Sequence, residues 1–192
     1  MGSASSSWRR WRYVSYASRT LPAVRYAARL ARKGSGREAE VCPAGHVLME
    51  NRYGMVVDVE VTRATGTSER EAGLRMLRRS CPTRRRRTLG GDKHSDTSDF
   101  VKGRREQGVT PHVAQNTSGR SSAIDRRTAG QAGYRVSQRI RKRVEEIFGW
   151  LKTGGGGRKL RYIGTRRNQL WAELAVTAFN LVRIGTLMAE PA

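Results

Sequence analysis

The chain has 192 residues, 38 Lys or Arg against 16 Asp or Glu, and a net charge of +22. That length accommodates one domain with a real core. The positive charge runs along the whole chain and favours a polyanionic partner, nucleic acid ahead of an anionic membrane surface. Cys42 and Cys81 lie far apart and give no sign of a disulfide framework, so a reducing compartment is expected. No apolar run of 18 or more residues occurs, so no membrane-spanning helix is expected.

Residues 1–37 contain no acid; the first is Glu38. The Ser- and Arg-rich start lacks the apolar core of a secretory signal, although such a composition also fits a mitochondrial transit peptide. Residues 1–27 show no clean strand or helix period and read as a basic, disordered or out-of-frame arm. Val47–Met49 and Met55–Val61 are β-branched, partly alternating runs around Arg52-Tyr53-Gly54, which predicts a β-hairpin. Asp58 lies in its second strand. It is a solvated partner of Glu60 or, as an in-strand acid, a catalytic candidate.

Thr67 or Ser68 begins a helix to about Arg79, with acids in the first turn and Cys81-Pro82 as its stop. Arg84, Arg85, Arg86 and Arg87 follow as a solvated loop or a phosphate contact. Thr88–Asp92 reads as a short strand ending in a carboxylate, followed by Lys93 and a helix from about Thr97 to Gln107. A strand-end acid before a helix is where open α/β sheets commonly place chemistry, though Gly-Asp-Lys is equally good turn chemistry. Val109–Ala114 is a further strand, in which Pro111 marks an edge position or a strand start. Gln115–Ala132 reads as a polar loop in which Arg120, Arg126 and Arg127 are phosphate-contact candidates.

Arg139–Lys152 reads as a helix of about four turns. Its Arg141, Glu145 and Lys152 share one face, and Ile140, Val144, Ile147 and Leu151 form an apolar stripe beside it. Gly154–Gly157 reads as a flexible loop. Arg167–Met188 is a long helix whose Leu170, Trp171, Leu174, Ala178, Leu181 and Gly185 face is a core or partner-packing surface. Cys42-x3-His46 has no second ligand pair for a zinc site, and no nucleophile-elbow motif is present.

Arg141-x3-Glu145-x6-Lys152, with Phe148-Gly149-Trp150 inside it, resembles the signature around the last catalytic acid of bacterial DDE transposases of the insertion-sequence-five type. The family often has Tyr three residues before the Arg, where this chain has Gln138. Gly91-Asp92-Lys93 with Asp96 resembles the second-acid motif, with His94-Ser95 in place of Gly-Tyr. Ala28–Lys33 and Thr110–Arg120 also look like family sequence.

The resemblance implies an α/β, ribonuclease-H-like fold, a mixed sheet flanked by helices, over residues 28–188, with 189–192 as a tail. It implies Asp92 and Glu145 as catalytic metal ligands for Mg²⁺ (or Mn²⁺), with Arg141 and Lys152 positioning phosphate. Carboxylates holding two such ions are what phosphodiester transfer needs. The family's first Asp lies before the region of Ala28, where this chain has no acid. The expectation is therefore an N-terminally truncated domain whose first catalytic strand is missing, inactive alone. Its expected partner is DNA at transposon ends, bound through Arg84–Arg87, Lys93, Arg120, Arg126 and Arg127. A homo-oligomer, no membrane, and a bacterial cytoplasmic, nucleoid-associated location complete the expectation. The alternatives are a non-catalytic DNA-binding regulator of transposition and a ribosomal-type RNA-binding protein; the latter lacks an RNP-type aromatic motif.

Overall fold

The computed structural model describes residues 13–20, 29–31, 40–80, 87–157 and 162–189. Its strands are β1 (Tyr13–Thr20), β2 (Arg29–Ala31), β3 (Glu40–Glu50), β4 (Val56–Arg63), β5 (Arg87–Gly91) and β6 (Val109–Val113). Its α-helices are α1 (Ser68–Ser80), α2 (Ser98–Glu106), α3 (Arg126–Ala129), α4 (Ala132–Ile140), α5 (Glu145–Thr153) and α6 (Thr165–Ala189).

The strands form one mixed sheet. Its path runs β2-β3-β1-β5-β6, with β4 also paired to β3. Ala44–Met49 of β3 pair with β1 and β4 at once, so those two strands lie on opposite sides of it. β1 is antiparallel to β3 and parallel to β5, and β5 is parallel to β6. The predicted hairpin is β3–β4. Its turn is organised by the buried Glu50 carboxylate, which accepts the N–H groups of Arg52 (2.9 Å), Tyr53 (2.7 Å) and Met55 (3.1 Å). Gly54 sits there at φ +72°, a conformation that costs glycine little.

Strand alternation divides the core. Val47, Met49, Val59 and Val61 pack with Ile147, Phe148, Leu151 and the inner side of α6. Leu48, between two of them, packs with Met76, Leu77, Leu89 and Phe100 on the other side of the sheet. The sheet is thus covered on one face by α5 and α6 and on the other by α1 and α2.

The structure corrects or narrows five expectations. Sequence periodicity predicts no strand before residue 26 and a sheet without its first catalytic strand. Tyr13–Thr20 instead form β1 in the middle of the sheet. A central strand is held by backbone pairing on both sides, which a local apolar period does not register. The predicted loop 115–132 contains α3, whose N-terminus is capped by Asp125 accepting the Thr128 N–H at 2.7 Å.

Gly154–Gly157 are packed rather than flexible. A Cβ on Gly155 would lie 2.7 Å from the Trp150 ring, and one on Gly157 would lie 2.9 Å from the Trp171 ring. Finally, α6 buries Asn168, Ala172, Ala175, Val176 and Phe179, and leaves Leu170, Leu174 and Leu181 exposed. Apolar residues surround this helix on several sides, so spacing alone does not choose the inward face. Two side-chain amides do. Asn180 accepts the Val56 N–H and donates to the Val56 carbonyl, both at 2.9 Å. Gln169 accepts the Val61 N–H at 2.7 Å and donates to the Val59 carbonyl at 3.0 Å. They satisfy part of the outer edge of β4, which would otherwise invite pairing with another chain. α6 is also, by length and composition alone, long and apolar enough to cross a membrane. The expectation of no such helix required an uninterrupted apolar run. α6 reaches the necessary mean hydropathy with Glu173 and Arg183 inside it.

Asn180→Ala should lower unfolding free energy by about 1–3 kcal/mol in urea denaturation, because both polar backbone groups of Val56 lose their partner. His46 is fully buried against the Thr62 hydroxyl (2.7 Å), and burial, helped by the Arg75 charge, lowers its pKa to about 4. The unfolded chain therefore binds the proton more readily. Stability should be full above pH 6.5 and fall by up to about 1.4 kcal/mol per unit as pH drops towards 4. The melting temperature of His46→Gln should lose that part of its pH dependence.

Candidate active site

Asp92 is delivered by β5. The strand ends at Gly91, Asp92 stays extended (φ −79°, ψ 176°), and a 3-10 turn follows over Lys93–Ser95. The Asp92 carboxylate caps that turn, accepting the His94 N–H at 2.9 Å, and its second oxygen lies 3.2 Å from His94 Nδ1. The acid remains half exposed and Lys93 is exposed beside it. The His94-Ser95 departure from the family motif therefore still builds a well-formed turn.

The residue that fixes this turn to its surroundings is Asp96, fully buried. Its carboxylate accepts the N–H of Asn116 at 2.6 Å and of Ala123 at 2.9 Å, and its carbonyl accepts the Arg120 guanidinium. The loop after β6 is thereby fastened to the turn after β5. In the sequence Asp96 stands out only as part of a motif. A carboxylate flanked by a helix cap gives no local sign that it will bond a segment 20 residues later.

Glu145 arrives by a different route. On one face of α4, Tyr134 donates to the Val113 carbonyl (2.7 Å), Ser137 Oγ lies 2.7 Å from His112 Nδ1, and Gln138 donates to the His112 carbonyl (2.6 Å). His112 and Val113 pair with Gly90 and Gly91, so α4 is fastened where the chain leaves for Asp92. His112 is structural. Burial pushes its pKa down, and Tyr134 meets it edge to face at 5.5 Å. Gln138 Oε1 in turn accepts from Arg141 Nε at 3.1 Å. The residue that replaces the family Tyr thus ties Arg141 to the end of β6. By sequence alone it is only a mismatch.

The expected single helix over 139–152 is broken. α4 ends at Ile140, a 3-10 turn covers Arg141–Val144 against β1 and β3, and α5 starts at Glu145. A 3-10 turn advances about 120° per residue instead of 100°, so Arg141 and Glu145 lose the i,i+4 alignment of one continuous α-helix. Glu145 and Lys152 are exposed on α5. Asp92 and the segment leading into Glu145 are nonetheless anchored to the same pair of strands.

Asp58 is elsewhere. Arg79 donates to it at 2.7 and 2.8 Å and Ser80 at 2.6 Å. Its strand lies three strand positions from β5, about 14 Å at the usual spacing. Arg126 and Arg127 are exposed on α3, and Arg87 is partly buried in β5. Arg84, Arg85 and Arg86 lie outside the described residues.

Residues 20–181 match the family model described as the transposase DDE domain. The chain belongs to that family. No curated protein matches its sequence. Among solved structures, this DDE-domain chain is similar to the piggyBac transposase in its synaptic complex with hairpin DNA. The TM-score is 0.54 at 10% identity, covering 90% of this chain and 46% of that one. A fold is shared, and the chain spans under half the length of that relative. The Mos1 mariner paired-end complex with Mn aligns at a TM-score of 0.35 and 12% identity, over 53% of this chain and 35% of that one.

DDE domains generally work with divalent metal ions. The donor set here does not fit a two-ion site. Among the described residues no group of three or more His, Cys, Asp or Glu is placed to hold a metal, and Asp92 already accepts from His94. Two divalent ions call for several oxygen ligands at once.

Asp96→Ala should release the loop that follows β6. Two backbone N–H groups lose their acceptor, at a cost of about 2–4 kcal/mol. Tryptic cleavage after Arg120 should become faster by limited proteolysis, while cleavage at Arg75 in α1 should change less.

Proposed function

We propose that this chain acts in DNA transposition as a ribonuclease-H-like DDE transposase domain of the bacterial insertion-sequence-five type. In this reading it binds DNA, such as transposon ends, but lacks a complete catalytic acid set. One observation carries the incompleteness. β1 lies beside β5, with Val14 opposite Leu89 and Ser15 opposite Gly90. Continuing that register brings the middle of β1 alongside Asp92. The strand reads Tyr-Val-Ser-Tyr-Ala-Ser-Arg-Thr and contains no carboxylate. The first acid that the family resemblance calls for is absent from the slot next to the second.

Asp92 and Glu145 are the remaining members of the acid set. Arg141 and Lys152 neutralise phosphate near them, with Arg141 held by Gln138. Lys93, Arg126, Arg127 and the Arg84–Arg87 run contact the DNA backbone, which requires charge and no base recognition. Arg120 is exposed and belongs with them, while one of its guanidinium nitrogens holds the loop through the Asp96 carbonyl. Any divalent ion, Mg²⁺ or Mn²⁺, would be held through Asp92, Glu145 and substrate phosphates. The missing strand acid equally favours a second reading, a non-catalytic regulator that competes for transposon ends.

The test is a nicking assay on supercoiled DNA with Mg²⁺ or Mn²⁺, alongside binding to duplex DNA across a salt series. Binding should be strongly salt-dependent, and no metal-dependent nicking should appear. Nicking that is lost in both Asp92→Ala and Glu145→Ala would overturn the incomplete-set reading. Reversing Lys93, Arg126 and Arg127 to Glu should weaken DNA binding at least about tenfold. It should also lower the salt slope by about 0.9 for each phosphate that is no longer neutralised. Tighter binding to structured RNA than to duplex DNA would favour the RNA-binding alternative instead.

A further inference from the structure

The outer face of α6 carries Leu170, Leu174, Thr177, Leu181, Ile184 and Met188. They are spaced by alternating steps of four and three residues. All are exposed, Leu174 at 63%, Leu181 at 65% and Met188 at 82%. Five of the six are apolar, and a 4-3 spacing of this kind is the seam of a two-helix coiled coil, with Thr177 the one polar position, its hydroxyl donating to the Glu173 carbonyl at 2.8 Å. At 100° per residue the seam lies opposite the buried face made by Ala172, Ala175, Val176 and Phe179. The helix therefore has two apolar faces, one bound to its own sheet and one turned outward.

We propose that the outer face of α6 is a homodimer interface, pairing antiparallel with α6 of a second copy. The spacing is self-complementary in that direction. Leu170 meets Met188, Leu174 meets Ile184 and Thr177 meets Leu181, so each layer joins the two seam positions as antiparallel coiled coils require. Along the flank, bulky Trp171 falls opposite Gly185, and Ala178 falls opposite its own copy. Charge selects the same direction. The first turn of α6 holds Arg166 and Arg167 with no acid, and its last turn holds no basic residue. Those cations sit at the positive end of their own helix. An antiparallel partner brings its negative C-terminal end beside them; a parallel partner would bring two more arginines.

The occupant is a helix and not a bilayer. The other side of α6 is held by Gln169 and Asn180 to β4, and by Arg183 donating to the Tyr53 carbonyl at 2.8 Å. Insertion into lipid would strip those bonds with no replacement.

The test uses the full chain, nuclease-treated, at about 0.5 M salt to suppress charge-driven association. Sedimentation equilibrium should give a dimer. Leu174→Glu should weaken it roughly a hundredfold or more by placing a charge in the seam, with the circular dichroism spectrum unchanged and the melting temperature no longer dependent on protein concentration. Leu181→Lys serves as the second variant should the first fail to fold. For direction, Cys42 and Cys81 are first replaced by Ser. Leu170→Cys and Met188→Cys chains are then mixed and oxidised. The expected product is the mixed 170–188 disulfide. A monomer at all concentrations, a dimer indifferent to both charge variants, cross-linking of Leu170→Cys to itself, or association only with lipid vesicles would each overturn the proposal.

Discussion

The sheet depends on β1. It pairs with seven residues of β3 on one side and three of β5 on the other, and no other described strand joins the antiparallel hairpin to the parallel β5–β6 pair. Without it, both halves would present an open inner edge, and each half-sheet would lose its route to a shared core. In sequence, this strand holds aromatic, small or basic residues and no carboxylate.

The excess of arginine has two uses in this molecule, and the fold separates them. Arg75 and Arg79 neutralise Glu60 and Asp58 across α1 and β4. Arg143 and Arg183 donate to carbonyls of the β3–β4 turn, at 2.9 Å to Asn51 and 2.8 Å to Tyr53. Arg104 is fully buried, stacked 4.2 Å over the Phe100 ring and bonded to the Gly73 carbonyl at 3.2 Å. Arg105 pairs with Asp125. These cations hold the fold. Exposed groups on the Asp92 turn, α3 and α5 carry the field available to a polyanion. A net charge therefore overstates the surface offered to nucleic acid, since part of it is neutralised or buried inside the fold.

Several elements were legible because their cause is local. The β3–β4 hairpin follows from two β-branched runs around a glycine turn. α1 follows from a Thr-Ser start and acids in its first turn, and β6 lies at the end of the sheet, one of the two places Pro111 allows. Asp92 at a strand end and Glu145 in the helical stretch were legible from spacing. The continuous helix over 139–152 was not. Its break into a 3-10 turn places Arg141–Val144 against β1 and β3, a contact between distant segments. Asp96 and Gln138 were missed as organising residues for the same reason: each bonds backbone far away in sequence.

The sequence by itself determined the strong excess of positive charge, and the family, through acids and cations at characteristic intervals. It also determined that no acid precedes Glu38. Only the tertiary structure decided that the acid-free stretch Tyr13–Thr20 forms a strand beside β5, with Val14 opposite Leu89 and Ser15 opposite Gly90, and such register is fixed by backbone hydrogen bonds between strands about 70 residues apart. Likewise, the composition of α6 announced apolar faces without saying which turns inward. The choice was made by two amides that find unpaired backbone groups on β4, because an unsatisfied strand edge is costly and a leucine cannot bond it.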